Sequence, residues 1–525
     1  MAVLCTRCRG LGVEAEDQPI TCVAPGGPCS PCEERTIIQH RIKQLEEEIT
    51  KLKAKQKALG TTMNAIHDPF IHKFPPEIGS RILLLSLPTL EYYPKATVYR
   101  PGSAVWAAPF NLGSVCRKWR QLAQATPDLW TTLPIVINPS MTPSMAESLP
   151  GLLREWLGRS GMLPLTIYFF HDRVCYAHQY RLPGDLFKVA TTLAIDILKL
   201  HSGRWRNLRL TASANLFECF PSSAEPKQLV SLELAVPVRK SELPTLEFMM
   251  ESKLNLTHLK LTNFPLKSIN VHWDNITHAT FSMISIDEGL DFLRRAPSLE
   301  YYCASMCEQR DVSYQIPVLH SRLRSLDLSI PRSKHRCVLD VMHLPSLEEW
   351  THDLCCDRPP VAAMLSFLKR SGCRIKALKL DNIRLPSKDL DTLLQEIPSL
   401  ERVQVSYYSS SEEGIMDDIL TRIFYSVPED HTPGGSFLPH LQFIECKTDT
   451  FVAPFSWGFI PKFYRHGHRR SLKLKAFART SDIPDETVLQ LLQLADEGVD
   501  LQIVDLTMVG DFLENFRKRI SAQGD

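Results

Sequence analysis

The sequence has almost no net charge and no long apolar run. Its 60 Lys and Arg residues nearly balance 59 Asp and Glu residues, which leaves a formal charge of +1. This balance provides no general attraction to nucleic acid or to anionic membranes. No apolar stretch approaches the roughly 20 residues of a membrane-spanning helix, and the N-terminal residues contain no hydrophobic signal region. We therefore expect no membrane association, no nucleic-acid partner, and a cytoplasmic and/or nuclear location.

Recognised catalytic motifs are also missing. The sequence contains no glycine-rich phosphate loop, no His-Glu-x-x-His and no Gly-x-Ser-x-Gly. Its 17 histidines and 15 cysteines fall in no recognised catalytic spacing. The sequence therefore predicts a binding protein and not an enzyme. With 525 residues and 44% hydrophobic residues, we expect two or three folded domains.

Cysteine is concentrated at the N-terminus, in residues 1–35. Cys5 and Cys8 form one Cys-x2-Cys pair, and Cys29 and Cys32 form a second pair twenty residues later. Two such pairs can surround one tetrahedral Zn²⁺ with four thiolates, and in a segment with few apolar residues the metal would supply the folding energy. The alternative is an unstructured tail with free cysteines. Without a secretory signal, the cysteines indicate a reducing compartment.

A heptad pattern follows over residues 36–68. Its apolar residues lie at positions 38, 42, 45, 49, 52, 59, 63 and 66, with only Gln56 interrupting the alternating steps of four and three. About four heptads are enough for a short coiled coil, which could form a homodimer. The alternative is a single amphipathic helix that folds back onto the rest of the chain.

Residues 70–134 predict a small bundle of short helices. Pro75 and Pro76 suit the first turn of a helix, in which Ile78 and Ile82 share one face. A second amphipathic set contains Leu112, Val115, Cys116 and Trp119, and a short third segment from Pro127 carries Trp130. About twenty residues between 88 and 107, rich in Tyr, Pro and Ala, separate the first helix from the second.

This stretch resembles an F-box, the helical module that docks on the Skp-type adaptor of cullin-RING ubiquitin ligases. The inserted residues 88–107 resemble insertions in the F-box families of mushroom-forming (basidiomycete) fungi, and Phe74 stands where the family usually has Leu. The resemblance implies that one set of residues forms the F-box core and its adaptor-binding face, with the last closing the module. These residues are Phe74, Pro75, Pro76, Ile78, Ile82, Leu112, Val115, Cys116, Trp119 and Trp130.

Residues 150–525 carry an irregular repeat of the form apolar-x-x-apolar-x-apolar. Copies begin at positions 205, 229, 256, 276, 299, 323, 347, 375, 400, 441 and 501, and from 205 to 400 they are 20 to 28 residues apart. This is the length of a leucine-rich repeat, with one strand per unit in a parallel sheet, and the pattern is less regular after residue 405. Candidates for outward-pointing, substrate-binding residues are His258, Lys260, Arg324, Asp327, Lys379, Arg402 and Gln404.

The predicted fold class is therefore α/β: a short coiled coil, a small all-α F-box and an irregular leucine-rich-repeat-like α/β solenoid. The resemblance implies a substrate-recognition subunit of an SCF-type ubiquitin ligase, with a Skp-type adaptor, a cullin scaffold and an unknown protein substrate as partners. Two alternatives stay open. One is a non-degradative scaffold, and the other is a zinc-dependent nucleic-acid-binding regulator that uses the basic residues between 462 and 475.

Overall fold

The computed structural model describes most of the chain after its first 29 residues. The described ranges are 30–67, 74–87, 104–138, 141–171, 184–220, 225–237, 247–307, 316–330, 335–353, 361–383, 385–407, 416–426, 437–448, 455–479, 482–506 and 510–523. They divide into two compact units. The first unit contains the described residues up to 87 together with 107–126, and the second contains 104–106 and all described residues from 127 onward.

The first unit is helical. Its helices are α1 (Ser30–His67), α2 (Pro76–Leu85), α3 (Ala104–Ser114, whose first three residues belong to the second unit) and α4 (Arg117–Gln124). Pro76 opens α2, where its missing N–H costs nothing, and Glu77 lies at the positive end of the helix dipole. Cys116 caps α4, since its Sγ accepts a hydrogen bond from the backbone N–H of Trp119 at 3.4 Å.

Helices α2 and α4 pack against each other in the first unit. Gly79 and Leu83 are buried on α2, and Ala123 is buried on α4. The Ser80 hydroxyl lies 2.8 Å from the Thr126 hydroxyl, which itself donates to the backbone carbonyl of Leu122 at 2.7 Å. The small side chains Gly79 and Ala123 allow the two helices to approach closely.

The second unit is built on a fourteen-stranded sheet in which every neighbouring pair is parallel. Its strands are β1 (Thr132–Ile137), β2 (Leu165–His171), β3 (Trp205–Thr211), β4 (Ser231–Ala235), β5 (His258–Thr262), β6 (His278–Ser285), β7 (Tyr301–Cys307), β9 (Ser325–Ser329), β11 (Glu349–Asp353), β12 (Ala377–Ile383), β13 (Arg402–Tyr407), β14 (Phe443–Thr448), β15 (Lys473–Ala478) and β16 (Leu501–Asp505). They lie in the sheet in chain order. The short strands β8 (Val318–Leu319) and β10 (Met342–His343) pair separately.

Parallel neighbours require a return connection between successive strands, and helices supply most of these connections. They are α5 (Pro143–Arg159), α6 (Gly184–Lys199), α7 (Ala214–Phe217), α8 (Ile286–Arg295), α9 (His335–Val341), α10 (Val361–Ser371), α11 (Ser387–Gln395), α12 (Asp417–Tyr425), α13 (Ile460–His466) and α14 (Asp485–Asp496), and α15 (Phe512–Gln523) follows the last strand. Between β5 and β6 the described connection contains short 3-10 turns and two isolated β-bridge residues, Ile269 and Val271.

The core lies on one face of the sheet, because buried and less buried residues alternate along nearly every strand. The pairing register aligns the buried positions of successive strands into continuous apolar rows. One row runs from Leu208 through Leu232, Leu259, Ala279, Tyr302, Leu326, Trp350, Leu378, Val403 and Ile444 to Leu474. A single strand cannot bury such a face, so the rows stabilise the sheet only when neighbouring strands stack.

A Pro-Ser-Leu-Glu tetrapeptide immediately precedes three of the strands, β7, β11 and β13. Its copies begin at positions 297, 345 and 398. Its leucine is fully buried in each case. In two copies the serine hydroxyl donates to a backbone carbonyl about 24 residues earlier: Ser346 to Ser321 at 2.6 Å and Ser399 to Ile375 at 2.8 Å. In these two copies the tetrapeptide therefore ties the new unit to the backbone of the preceding one.

The structure confirms a mixed α/β class with a large parallel sheet. Each of the eleven predicted copies of the repeat leads into a strand. Three strands of the sheet lie outside these copies: β1, which begins before residue 150, β2, which precedes the first copy, and β15, which begins in the basic segment. The sheet also continues with parallel pairing through β14, β15 and β16, where the sequence spacing is longer.

Candidate functional site

Two surfaces contain the residues that the sequence singled out, one on each unit. In the first unit, Pro75 precedes α2 and Pro76 is its first residue. Phe74 and Val115 are exposed, each at 48%. The side chains of Leu112, Cys116 and Trp119 are half-buried.

The exposed apolar residues of α2 lie on a single face. Ile78, Ile82 and Leu85 are 47%, 38% and 72% exposed, and their spacing of four and three residues places them in one row along the helix. We refer to these three residues as the α2 face. The core of the unit uses the other side, through Gly79 and Leu83. The α2 face is therefore available for a partner, as expected for an apolar row that the described core does not use.

Trp130 lies in the second unit and not in the helical unit. Its ring is buried at 1% exposure and meets the ring of Trp156 edge-to-face, with 5.2 Å between centroids. The indole N–H of Trp156 donates to the carbonyl of Trp130 at 2.8 Å, and the Arg159 guanidinium lies 4.4 Å from the Trp130 ring centroid. Trp130 thus packs at the start of the sheet, beside β1.

The second surface is the open face of the sheet, which carries the residues between the buried positions. Six of the seven predicted outward residues lie on strands there, and Arg324 lies immediately before β9. Adjacent residues on β3, β4 and β5 form an ion-pair triad. The Glu233 carboxylate lies 3.0 Å from Arg209 Nε and 3.2 Å from Lys260 Nζ. The Glu233 side chain is 15% exposed, so the triad is a partly buried feature of the open face.

A row of three aromatic rings runs beside the triad. His258 on β5, His278 on β6 and Tyr301 on β7 are register neighbours. The two imidazoles stack with 4.5 Å between centroids and 10° between planes, and His278 stacks on Tyr301 at 5.9 Å. Burial, and then charge repulsion from His278, lower the pKa of His258, while burial is the main cause that raises the pKa of Tyr301 to about 12. The row is a partly exposed aromatic strip.

The centre of the open face is acidic. Asp327 and Asp353 lie on β9 and β11, and Asp381 lies on β12, where its carboxylate is 2.7 Å from Lys379 Nζ. Burial is the main cause that raises the pKa of Asp327 and that raises the pKa of the adjacent Cys303 thiol to about 11. Cys303 is therefore a protonated thiol at neutral pH, which argues against a reactive thiolate at this position.

Further along the sheet the face becomes mixed in charge. Glu445 on β14 accepts from Gln404 Nε2 at 3.3 Å and lies 3.2 Å from Lys475 Nζ. Arg402 on β13 donates to Glu349 on β11 at 3.1 Å, reaching across β12. The open face thus presents both signs of charge over many strands.

The basic segment from 462 to 475 uses several of its side chains inside the fold. Phe463 and Tyr464 are buried on α13. Arg469 is 4% exposed, and its guanidinium donates to the backbone carbonyls of Phe437 and Leu438. Lys473 pairs with Asp500 at 3.1 Å. This segment is a helix, a buried arginine and a strand, which is not the continuous basic surface that its composition indicates.

The predicted zinc ligands cannot be compared with the structure. Cys5, Cys8 and Cys29 lie outside the described residues, as does the side chain of Cys32, whose backbone is in α1. Most of the 88–107 insertion and the polar segments 408–415 and 427–436 also lie outside them. Within the described part of the chain, no group of three or more His, Cys, Asp or Glu side chains is arranged to hold a metal ion.

The sequence missed several residues of the open face, among them Arg209, Glu233, His278 and Asp353. Each occupies the same alternating position as a predicted residue, so the period-two pattern was the signal that could have found them. Which of them are neighbours depends on the pairing register. That register is set by pairing between strands that follow one another in chain order, and no local sequence pattern specifies it.

Comparison with protein-family models gives no match for this chain, and comparison with curated proteins gives no significant similarity. The F-box and repeat resemblances therefore rest on the residues named above. Among the described helices, none combines the length and the apolar character that crossing a membrane requires.

Proposed function

We propose that this chain is a substrate-recognition adaptor of an SCF-type (cullin-RING) E3 ubiquitin ligase. In this proposal the helical unit is an F-box that docks a Skp-type adaptor, and the sheet unit is a leucine-rich-repeat-like solenoid that binds a substrate protein. The observation that carries the proposal is the α2 face. Among the residues that resemble the F-box motif, Phe74, Ile78, Ile82 and Val115 keep large apolar side chains exposed. Ile78 and Ile82 lie in one row with the exposed Leu85.

The sheet unit supports the second half of the proposal. Its strands follow one another in chain order in a single parallel sheet, which is the connectivity of a stacked repeat. The open face carries both signs of charge together with the His258, His278 and Tyr301 strip. Such a surface suits a folded protein or peptide, because complementary charges determine specificity and aromatic side chains supply contact area.

In this proposal the chain itself would catalyse no reaction. By holding a substrate on the open face and the ligase on the α2 face, it would raise the effective concentration of substrate lysines near the conjugating enzyme. The cullin scaffold would be recruited through the Skp-type adaptor and not by direct contact with the chain.

The test is co-purification of the full chain with a Skp-type adaptor. We expect the wild-type chain to form a stoichiometric complex and the Ile78→Asp/Ile82→Asp variant to lose at least tenfold in affinity, because two carboxylates would be buried against an apolar partner. Gln124→Asp is the matched control, since it introduces the same side chain at an exposed polar position of the same unit. Titration calorimetry on each purified chain gives the affinities.

Absence of binding by the wild-type chain would overturn the proposal and leave the non-degradative scaffold as the better description. Equal binding by all three chains would show that the adaptor docks elsewhere than on the α2 face. Circular dichroism melting of the variants distinguishes a lost contact from an unfolded unit. Both substituted residues are already exposed, so the melting temperature of the helical unit should stay within a few degrees of the wild-type value.

A further inference from the structure

Helix α1 carries a long apolar row that the described protein does not bury. The row, called the seam here, consists of Ile38, Ile42, Leu45, Ile49, Leu52, Gln56, Leu59, Met63 and Ile66. Its eight apolar members are 42% to 67% exposed, and Gln56 is exposed as well. Leaving eight large apolar side chains in water is unfavourable by roughly 1 kcal/mol or more for each, so the seam requires a covering surface.

The spacing of the seam defines a heptad register. Since steps of three lead from a to d, the a positions are Ile42, Ile49, Gln56 and Met63. The d positions are Ile38, Leu45, Leu52, Leu59 and Ile66. In the central heptads a β-branched residue at a alternates with leucine at d, which is the combination that favours two parallel strands over three or four. Because the pattern repeats along one helix, the surface that complements it best is the same seam of a second copy.

Charges beside the seam agree with self-association. In a parallel dimer the g position of one helix faces the next e position of the other, which pairs Arg41 with Glu46 and Glu48 with Lys53. An antiparallel dimer would pair Glu48 with Lys55 and Glu46 with Lys53, so charge alone does not select the orientation. In both orientations these pairs join opposite charges, so the flanking charges repel in neither arrangement.

Gln56 selects the orientation. In a parallel, in-register dimer each a position faces its own equivalent, so the two Gln56 carboxamides can hydrogen-bond to each other. In an antiparallel dimer each a position faces a d position, and every d position is leucine or isoleucine. A buried amide without a partner costs about 1–3 kcal/mol, and the antiparallel dimer would contain two of them.

We infer that the chain forms a parallel, two-stranded coiled-coil homodimer through the seam of α1, with the two Gln56 side chains paired across the dimer axis. This inference does not depend on the proposed ligase function. A second copy of the chain covers the seam. Its own α1, also 38 residues long, packs against the first α1 in the same heptad register.

Sedimentation equilibrium of the full chain tests the dimer. We expect the wild-type chain to have twice the monomer mass of 59.6 kDa. Leu45→Glu, at a d position, should give the monomer mass. Ala54→Glu is the matched control, since position f lies on the outer face, and it should remain dimeric. A monomeric wild-type chain, a dimer that survives Leu45→Glu, or a mass of three or four chains would each overturn the inference.

Disulfide cross-linking of Leu52→Cys tests the orientation in the same full chain. Equivalent d positions face each other only in the parallel dimer, so mild oxidation should produce a reducible dimer band well above that of the wild-type chain, whose native cysteines set the background. If Leu52→Cys gives no added band while its mixture with Ile49→Cys does, the helices are antiparallel and the inference is wrong.

Discussion

At the scale of single residues, the stacked pair His258 and His278 makes the sheet unit sensitive to acid. The folded state lowers the pKa of His258 through burial and then through the neighbouring His278. An unfolded chain returns that histidine to a pKa near 6.5 and so binds more protons than the folded chain. The stabilising contribution of neutral His258 is therefore complete above about pH 6.5 and is lost as the pH falls through its folded-state pKa.

The measurement is the melting temperature between pH 5 and pH 8. We expect His278→Gln to reduce the acid-dependent loss of melting temperature, because His258 then has no charged neighbour at low pH. His272→Gln replaces an exposed histidine of the same unit and should keep the wild-type pH profile. Identical profiles for the wild-type chain and His278→Gln would mean that the stack does not couple the two imidazoles.

Single residues also show how much a local sequence pattern can predict. Gly161 and Gly372 each follow an Arg-Ser dipeptide, and in the structure they have φ values of +57° and +59° just after the ends of α5 and α10. A glycine after a helix suffices for that prediction, since glycine adopts this conformation without a steric cost. Side-chain neighbours such as His278 beside His258 are set by pairing between distant strands, which no local pattern contains.

At the scale of elements, arginines join one unit of the sheet domain to the preceding one. Arg204 donates to the carbonyl of Leu163, Arg370 to that of Met342, and Arg469 to those of Phe437 and Leu438. Each arginine reaches 28 to 41 residues back to carbonyls that lie outside the regular hydrogen-bonding of the sheet. The Phe437 carbonyl also accepts from the Ser426 hydroxyl, and the Leu438 carbonyl accepts from the Leu441 amide, so Arg469 adds a charged donor to each of them.

We expect Arg469→Met to lower the free energy of unfolding by roughly 2–4 kcal/mol, because it removes charged donors from two buried carbonyls. Arg470→Met is the control. It removes the same charge from an exposed neighbouring side chain and should change stability by less than about 1 kcal/mol. Chemical denaturation followed by tryptophan fluorescence reports both. Equal effects of the two substitutions would show that lost charge, and not the clamp, is responsible.

The residue types in β15 explain why the repeat pattern did not predict this strand. Lys473 and Lys475 point to the open face while Leu474 and Ala476 point to the core, so the strand alternates as a half-buried strand should. Together with the arginines before it, however, the lysines resemble a charged surface segment. The repeat pattern found strands whose buried positions are mostly large apolar residues, and it missed β15, where alanine occupies two of the three buried positions.

At the scale of the whole molecule, a parallel dimer would carry two α2 faces and two open faces. Two linked copies of a binding surface can hold a divalent partner more tightly than one copy, without any new contact. The sequence predicted the separate surfaces and a coiled coil that could form a homodimer, with a helix folded back onto the chain as the alternative. The exposure of the whole seam in the structure favours the dimer.

Gln56 tests this assembly directly. A single polar residue at an a position costs stability but selects one register and one oligomeric state. We expect Gln56→Ile to lower the dimer dissociation constant by about tenfold or more and to allow Leu52→Cys to form additional cross-links with Ile49→Cys, because the antiparallel arrangement then has no buried amide. A dilution series by sedimentation velocity measures the affinity, and the cross-linking pattern measures the orientation. An unchanged affinity would mean that Gln56 is not buried in the dimer, since replacing a solvated glutamine would leave association unaffected.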